Sequence, residues 1–197
     1  MSPTLRLWFV ERKNDVSTPD VQQRYGIVAI GLHWTIALCL VCAVGLALTV
    51  EQLDMGKTKT ALTTLHKSVG LTIFLLTAMR LGWRLAHPAP PMPDSLSVVM
   101  RRTAFVTHAT LYALTFAMPV SGYISVAARA RDTTFFWLFE IPRWVPLDRG
   151  LSRTADMLHT NGQYVSYVLL AGHICAALYH RFLLKDRVFQ RMWPSHR

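Results

Sequence analysis

Residues 159–180 read HTNGQYVSYVLLAGHICAALYH, and this stretch decides the fold. No charged residue interrupts it between His159 and His173. Fourteen positions along an α-helix are a rise of about 21 Å and a return to within about 40° of the same face. Seven residues further on, His180 comes back to that face. One helix stripe therefore carries histidine at three depths. Histidine is costly in hydrocarbon, so an intramembrane one marks function by default.

Outward from this stretch, three more apolar blocks precede it. A bilayer crossing takes about 20 residues, and four candidates stand out: Ile27–Val50, Leu62–Trp83, Thr103–Ala127 and Met157–Leu184. The chain of 197 residues is 52% hydrophobic and 16% charged. That charged share is well below the ordinary quarter or so of a soluble domain. Polar residues are sparse on every face of each block. The expectation is an all-α integral membrane four-helix bundle, with residues 24–193 as one four-span domain and residues 1–23 as a mobile N-terminal tail.

A net charge of +10 would suggest nucleic acid in a soluble protein. Here the basic residues gather at span ends, which excludes that class and speaks of topology. Thirteen of the 21 Lys and Arg fall in the termini, at the inner ends of the spans and around the second connection, and eight on the opposite side. The positive-inside rule then puts both termini in the cytoplasm. Leu5–Val10 is too short for a signal-peptide core and is followed by Glu11-Arg12-Lys13, so the first span is expected to act as its own insertion signal. Cys39, Cys42 and Cys175 all lie within spans and read as small packing residues. No C-x-x-C-H motif for covalent haem is present.

Between the spans, Glu51–Ala61 is short, making the first two spans antiparallel neighbours. His87-Pro88-Ala89-Pro90-Pro91-Met92-Pro93 is an extended, polyproline-like connection. Ala128–Asp156 is long enough to have a shape of its own, and its Phe135-Phe136-Trp137-Leu138-Phe139 cluster suggests a short element in the membrane interface. Pro119, followed by Ser121-Gly122, predicts a kink in the third span.

His66, near the outer end of span two, matches the depth of His159. His33, about two turns inside span one, matches His173. Two facing pairs fit two haems stacked through the bundle, each with two histidine ligands and no open site, which suits electron transfer. Small residues one turn from the ligands leave room for a porphyrin: Gly70 for His66, Gly162 for His159, Ala176 and Ala177 for His173, Ala37 for His33. Lys67 could snorkel to the interface or meet a haem propionate. His108 could face the inner haem, line a quinone pocket or hydrogen-bond a neighbouring helix. A zinc site or proton relay fits poorly, because the span interiors hold no Asp or Glu at matching depth.

In its order of motifs the chain resembles the prokaryotic cytochrome b561 family. The matching residues are His33-Trp34, His66, Arg80-Leu-Gly-Trp-Arg84 before the proline segment, His108 with Pro119-Val-Ser-Gly122, and His159-x13-His173-x6-His180 ending in Lys185-Asp186 and Arg191-Met192. The resemblance covers about residues 24–193. It implies a small four-helix protein of the inner membrane with two haem b groups ligated by His33, His66, His159 and His173. It further implies ubiquinone as acceptor near His180, the candidate catalytic residue, and superoxide or a redox partner protein as donor. Where a relative has a basic quinone-side residue, this chain has Pro93-Asp94-Ser95-Leu96. Arg129, Arg131, Arg143, Arg149 and Arg153 in the outer loop could attract a small anion such as superoxide, less so in salt. Asp132, Glu140, Asp148 and Asp156 leave the loop only about one positive, so steering would need a local patch, and a solvated, topologically neutral loop is the alternative. The competing expectation is an electron conduit: a cytochrome b subunit tethering a dehydrogenase or hydrogenase to the quinone pool.

Overall fold

A computed structural model describes residues 24–92 and 96–194. The N-terminal tail 1–23, Pro93-Asp94-Ser95 of the second connection and His196 lie outside the described residues. Four long helices run in sequence order: α1 Ile27–Gln52, α2 Lys57–Ala86, α3 Val98–Ala127 and α4 Arg149–Phe182. A short hairpin, β1 Thr134–Phe135 and β2 Phe139–Glu140, lies between α3 and α4, and a 3₁₀ turn at Phe189–Arg191 closes the described chain.

The helices begin where side chains can cap them. Ser97 accepts from the Met100 amide at the start of α3, and Asp148 Oδ1 accepts from the Leu151 amide at the start of α4. Inside the helices, hydroxyls turn back on their own backbone: Thr35 to Gly31, Thr49 to Gly45, Thr110 to Val106 and Ser166 to Gly162. A helix in lipid tolerates such residues because no polar group is left bare.

Three helices, α1, α2 and α3, are apolar and long enough to cross a membrane by hydropathy alone. The fourth is the longest, at 34 residues, but falls short of that measure. It begins at Arg149, two turns before the expected start at Met157. Its first two turns hold Arg149, Arg153 and Asp156, and its middle holds Asn161, Gln163 and the histidine stripe. These polar and charged residues are why α4 is less apolar than its neighbours.

Helix packing is open on one side. α1 packs on α2, α2 on α3 and α3 on α4, yet among the described residues no Cα of α4 comes within 8 Å of α1 or α2. The fully buried side chains are small and polar (Thr77, Ser68 and Ser152) rather than large and apolar. Large apolar side chains such as Leu38, Val41, Leu75 and Val168 face outward, as a lipid-facing surface requires.

The two ends of the bundle are sewn differently. At the end that holds Arg24 and Pro194, the segment after α4 acts as a strap. Trp34 Nε1 donates to the Met192 carbonyl at 2.7 Å, the Tyr25 amide to the Arg191 carbonyl at 3.2 Å, and Arg191 to the carbonyls of Pro90 and Pro91 at 3.0 and 2.8 Å. At the other end the third connection folds over α2. Ser68 Oγ accepts from the Phe136 amide at 2.8 Å, and Lys67 Nζ donates to the Asp132 carbonyl at 3.1 Å. Tyr123 accepts from the Trp144 amide and donates to the Pro142 carbonyl. The aromatic cluster anticipated in this connection is the hairpin itself, with Thr134 opposite Glu140 and Phe135 opposite Phe139. Phe136, Trp137 and Leu138 form its three-residue loop, closed by the Leu138 amide donating to the Phe135 carbonyl at 2.8 Å. Phe136 and Trp137 stand at φ 46° and 60°, a left-handed pair that costs bulky residues about 1–2 kcal/mol each. The Ser68 hydrogen bond to the Phe136 amide helps hold it.

Candidate haem-binding site

The histidines meet across the gap that the helix backbones leave open. His66 on α2 faces His159 on α4 with ring centroids 6.2 Å apart, and His33 on α1 faces His173 on α4 at the same 6.2 Å. The ring planes stand at 90° and 77°. A metal–imidazole nitrogen bond is about 2 Å, and the ring centre lies roughly 1 Å further, so two imidazoles on opposite sides of one metal have centroids about 6 Å apart. Both pairs match that separation. Along α4 the two sites are about 21 Å apart.

The pair His66/His159, called outer from the expected topology as His33/His173 is called inner, is held by main-chain carbonyls. His66 Nδ1 donates to the Ala43 carbonyl at 3.0 Å, and His159 Nδ1 to the Met118 carbonyl at 2.9 Å. Ser121 Oγ lies 3.3 Å from the same His159 nitrogen while donating its own proton to the Met118 carbonyl. A proton on Nδ1 leaves the Nε2 lone pair free to bind a metal, and such outer partners also set the ring orientation. A Cβ on Gly122 would lie 3.0 Å from His159 Cε1 and 3.1 Å from Nδ1, so glycine there admits the imidazole.

The glycines divide differently from the expectation. Gly70, one turn from His66, has open space around it, as a flat macrocycle would need. Gly162 instead faces α3: a Cβ there would lie 2.7 Å from the Met118 sulfur. It serves helix packing, and Gly122, which carries no histidine on its own helix turn, is the residue that opens the outer site.

The inner pair is a cluster of three rings. His108 on α3 places its ring 5.4 Å from His173. Arg80, which donates to the Ala29 carbonyl at 2.5 Å, is close enough to interact electrostatically with both His33 and His108, and Arg84 with His108. His108 thus lies beside His173. His180, further along the stripe, is engaged by Asp186, with Nδ1 to Oδ2 at 2.5 Å. The same carboxylate accepts the Val188 amide, so it is fixed by the turn that leads into the C-terminal strap. Asp186 could be read from sequence only as part of a motif, because its partnership depends on the chain reversing after Phe182. Lys67 reaches the Asp132 carbonyl and keeps two further N–H groups for another acceptor.

Residues 24–195 match the prokaryotic cytochrome b561 family. The chain belongs to it. Among relatives, it is 31% identical over 180 residues to cytochrome b561 homolog 2 of Escherichia coli (strain K12), covering 90% of this chain and 95% of the relative. It is 27% identical over 177 residues to the "probable superoxide oxidase CybB" of Yersinia pestis, covering 90% and 99%. Cytochrome b561 homolog 1 of E. coli (strain K12) is 22% identical over 181 residues. As a prokaryotic cytochrome b561, the chain is a multi-pass electron-transfer protein of the bacterial inner membrane. Membership in the family also implies haem b binding.

Proposed function

We propose that the chain holds two haem b groups, with His66 and His159 as ligands of one and His33 and His173 as ligands of the other. We further propose that it oxidises superoxide at one membrane face and reduces ubiquinone at the other. The observation that carries the first part is the equal 6.2 Å separation of two facing imidazole pairs on helices whose backbones stay apart. The carbonyl-held Nδ1 atoms of the outer pair support it further. Each bound haem would supply one-electron transfer with no open coordination site.

The protein's own residues would do the rest. Arg80 and Arg84 are the cations near the inner pair and would balance a propionate there, as Lys67 would at the outer pair. The positive-inside distribution supports a cytoplasmic position for both termini, which puts His66 and His159 near the periplasm. Two superoxide anions release two electrons and become two dioxygen molecules. Ubiquinone takes those two electrons and two protons to become ubiquinol. His180 stands at the end that holds Arg24 and Pro194, where its Nδ1 is hydrogen-bonded to Asp186 Oδ2. We assign it the delivery of a proton to the quinone. The relative described as a probable superoxide oxidase supports this donor. Stopped-flow spectroscopy tests the reading: superoxide should reduce the purified protein rapidly, and added ubiquinone should reoxidise it. Failure of either half-reaction contradicts it.

A second reading has one specific observation in its favour. The hairpin tip exposes Trp137, Leu138 and Phe139, an apolar surface that a dehydrogenase or hydrogenase subunit could cover. Stoichiometric co-purification of such a redox partner would favour a conduit role, and full superoxide:quinone activity of the isolated chain would count against it.

A further inference from the structure

The end of the bundle away from Arg24 and Pro194 carries a cavity of about 570 Å³, set beside the start of α4. Arg129, Arg131, Arg149 and Arg153 line it, with Asp148 and Leu147. The carboxylate in the lining, Asp148, and that of Asp156 are already engaged. Asp156 pairs with Arg129 at 3.6 Å, and Asp148 caps α4 through the Leu151 amide. Among the described residues, Arg131, Arg149 and Arg153 form no ion pair. Three like charges around one cavity repel each other unless an anion sits among them. The rim is a tight turn in which Ala130 is left-handed at φ 56°, closed by the Asp148 amide donating to the Ala128 carbonyl at 3.2 Å.

We propose that this cavity is a phosphate site that seats the headgroup of one anionic phospholipid of the surrounding bilayer. Guanidinium is the side chain whose planar fork matches a phosphate, with two N–H groups to two oxygens. Depth points to lipid as the source. Arg153 is one helical turn, about 6 Å, from Met157, where the apolar part of α4 begins, and that is the level of the headgroups. An apolar flank lies beside the charges, as a glycerol and acyl chain require: Leu147 lines the cavity at 60% exposure, and Trp144 is 75% exposed. A phosphodiester carries one negative charge. The lining of four arginines and Asp148 is three positive, so it would remain two positive with the lipid in place.

Native mass spectrometry of the detergent-purified, haem-loaded protein tests this, with phosphatidylglycerol, phosphatidylcholine and inorganic phosphate as probes. The wild-type chain should retain one phosphatidylglycerol in preference to phosphatidylcholine, and inorganic phosphate should not displace it. The triple variant Arg131→Gln, Arg149→Gln, Arg153→Gln should retain it about tenfold less or weaker still. Its haem absorbance should be unchanged, which reports that the bundle is intact. Should that variant lose haem, the matching triple Lys variant should keep charge and fold but bind less tightly than the arginines. Displacement by inorganic phosphate would assign the cavity to a free anion and overturn the lipid source. Equal retention by the wild-type and Gln variants, or by the two lipids, would overturn the site.

Discussion

The two histidine pairs are alike in separation and unlike in support. At the outer pair both Nδ1 atoms are tied to main-chain carbonyls, Ala43 and Met118, and a glycine on a third helix clears space for one ring. At the inner pair a third imidazole, His108, leans on His173, and Arg80 lies near His33. The difference teaches that the outer site is shaped by backbone, the inner by side chains. Outer-site properties should therefore respond to changes that move helices, and inner-site properties to changes of charge or hydrogen bonding.

The largest effect that would break this comparison is ligand removal. His159→Ala should abolish the outer haem and His173→Ala the inner, each removing about half of the haem absorbance. A spectrum unchanged by either substitution would dispose of that pair as ligands. Next is Gly122→Ala, whose new methyl would press on the His159 ring. Outer-haem affinity should fall by about tenfold or more, measured by haem content after dilution, with the inner haem retained. Normal retention of both haems would mean the carbonyl-held geometry is not what orients His159.

A smaller change sharpens the other half. His108→Gln should keep both haems and shift the midpoint potential of one by roughly 20–60 mV, the scale of a single hydrogen bond. Redox titration would read it, and loss of a haem would instead make His108 a ligand. Smallest of all is Ser121→Ala, which removes a secondary contact to His159 and should cost about 0.5–1 kcal/mol in thermal unfolding of the haem-loaded protein.

Much of this was legible from the residues. The stripe His159, His173, His180 follows from helix periodicity alone, and one helix fixes its spacing. Pairing by depth located His66 and His33 because short connections force neighbouring spans to be antiparallel. What stayed hidden depends on side chains crossing between helices. Nothing around Gly122 says that its empty side receives His159, and nothing around Gly162 says that it receives Met118. The hairpin turn was unreadable for another reason: Phe136-Trp137 is a poor sequence for a left-handed pair, which ordinarily calls for Asn-Gly, and only the Ser68 contact from a distant helix explains it. The early start of α4 was missed because its first two turns are charged, although Asp148 is a good N-cap.

The central claim is two bis-histidine sites with near-perpendicular rings. Electron paramagnetic resonance of the oxidised protein, with haem quantified in the same sample, tests it most directly. Perpendicular imidazoles leave two iron d orbitals nearly equal in energy, so the account predicts two haems per chain, both low-spin, with strongly anisotropic signals at both sites. One haem per chain, or a stoichiometric high-spin signal from an open coordination site, would contradict it.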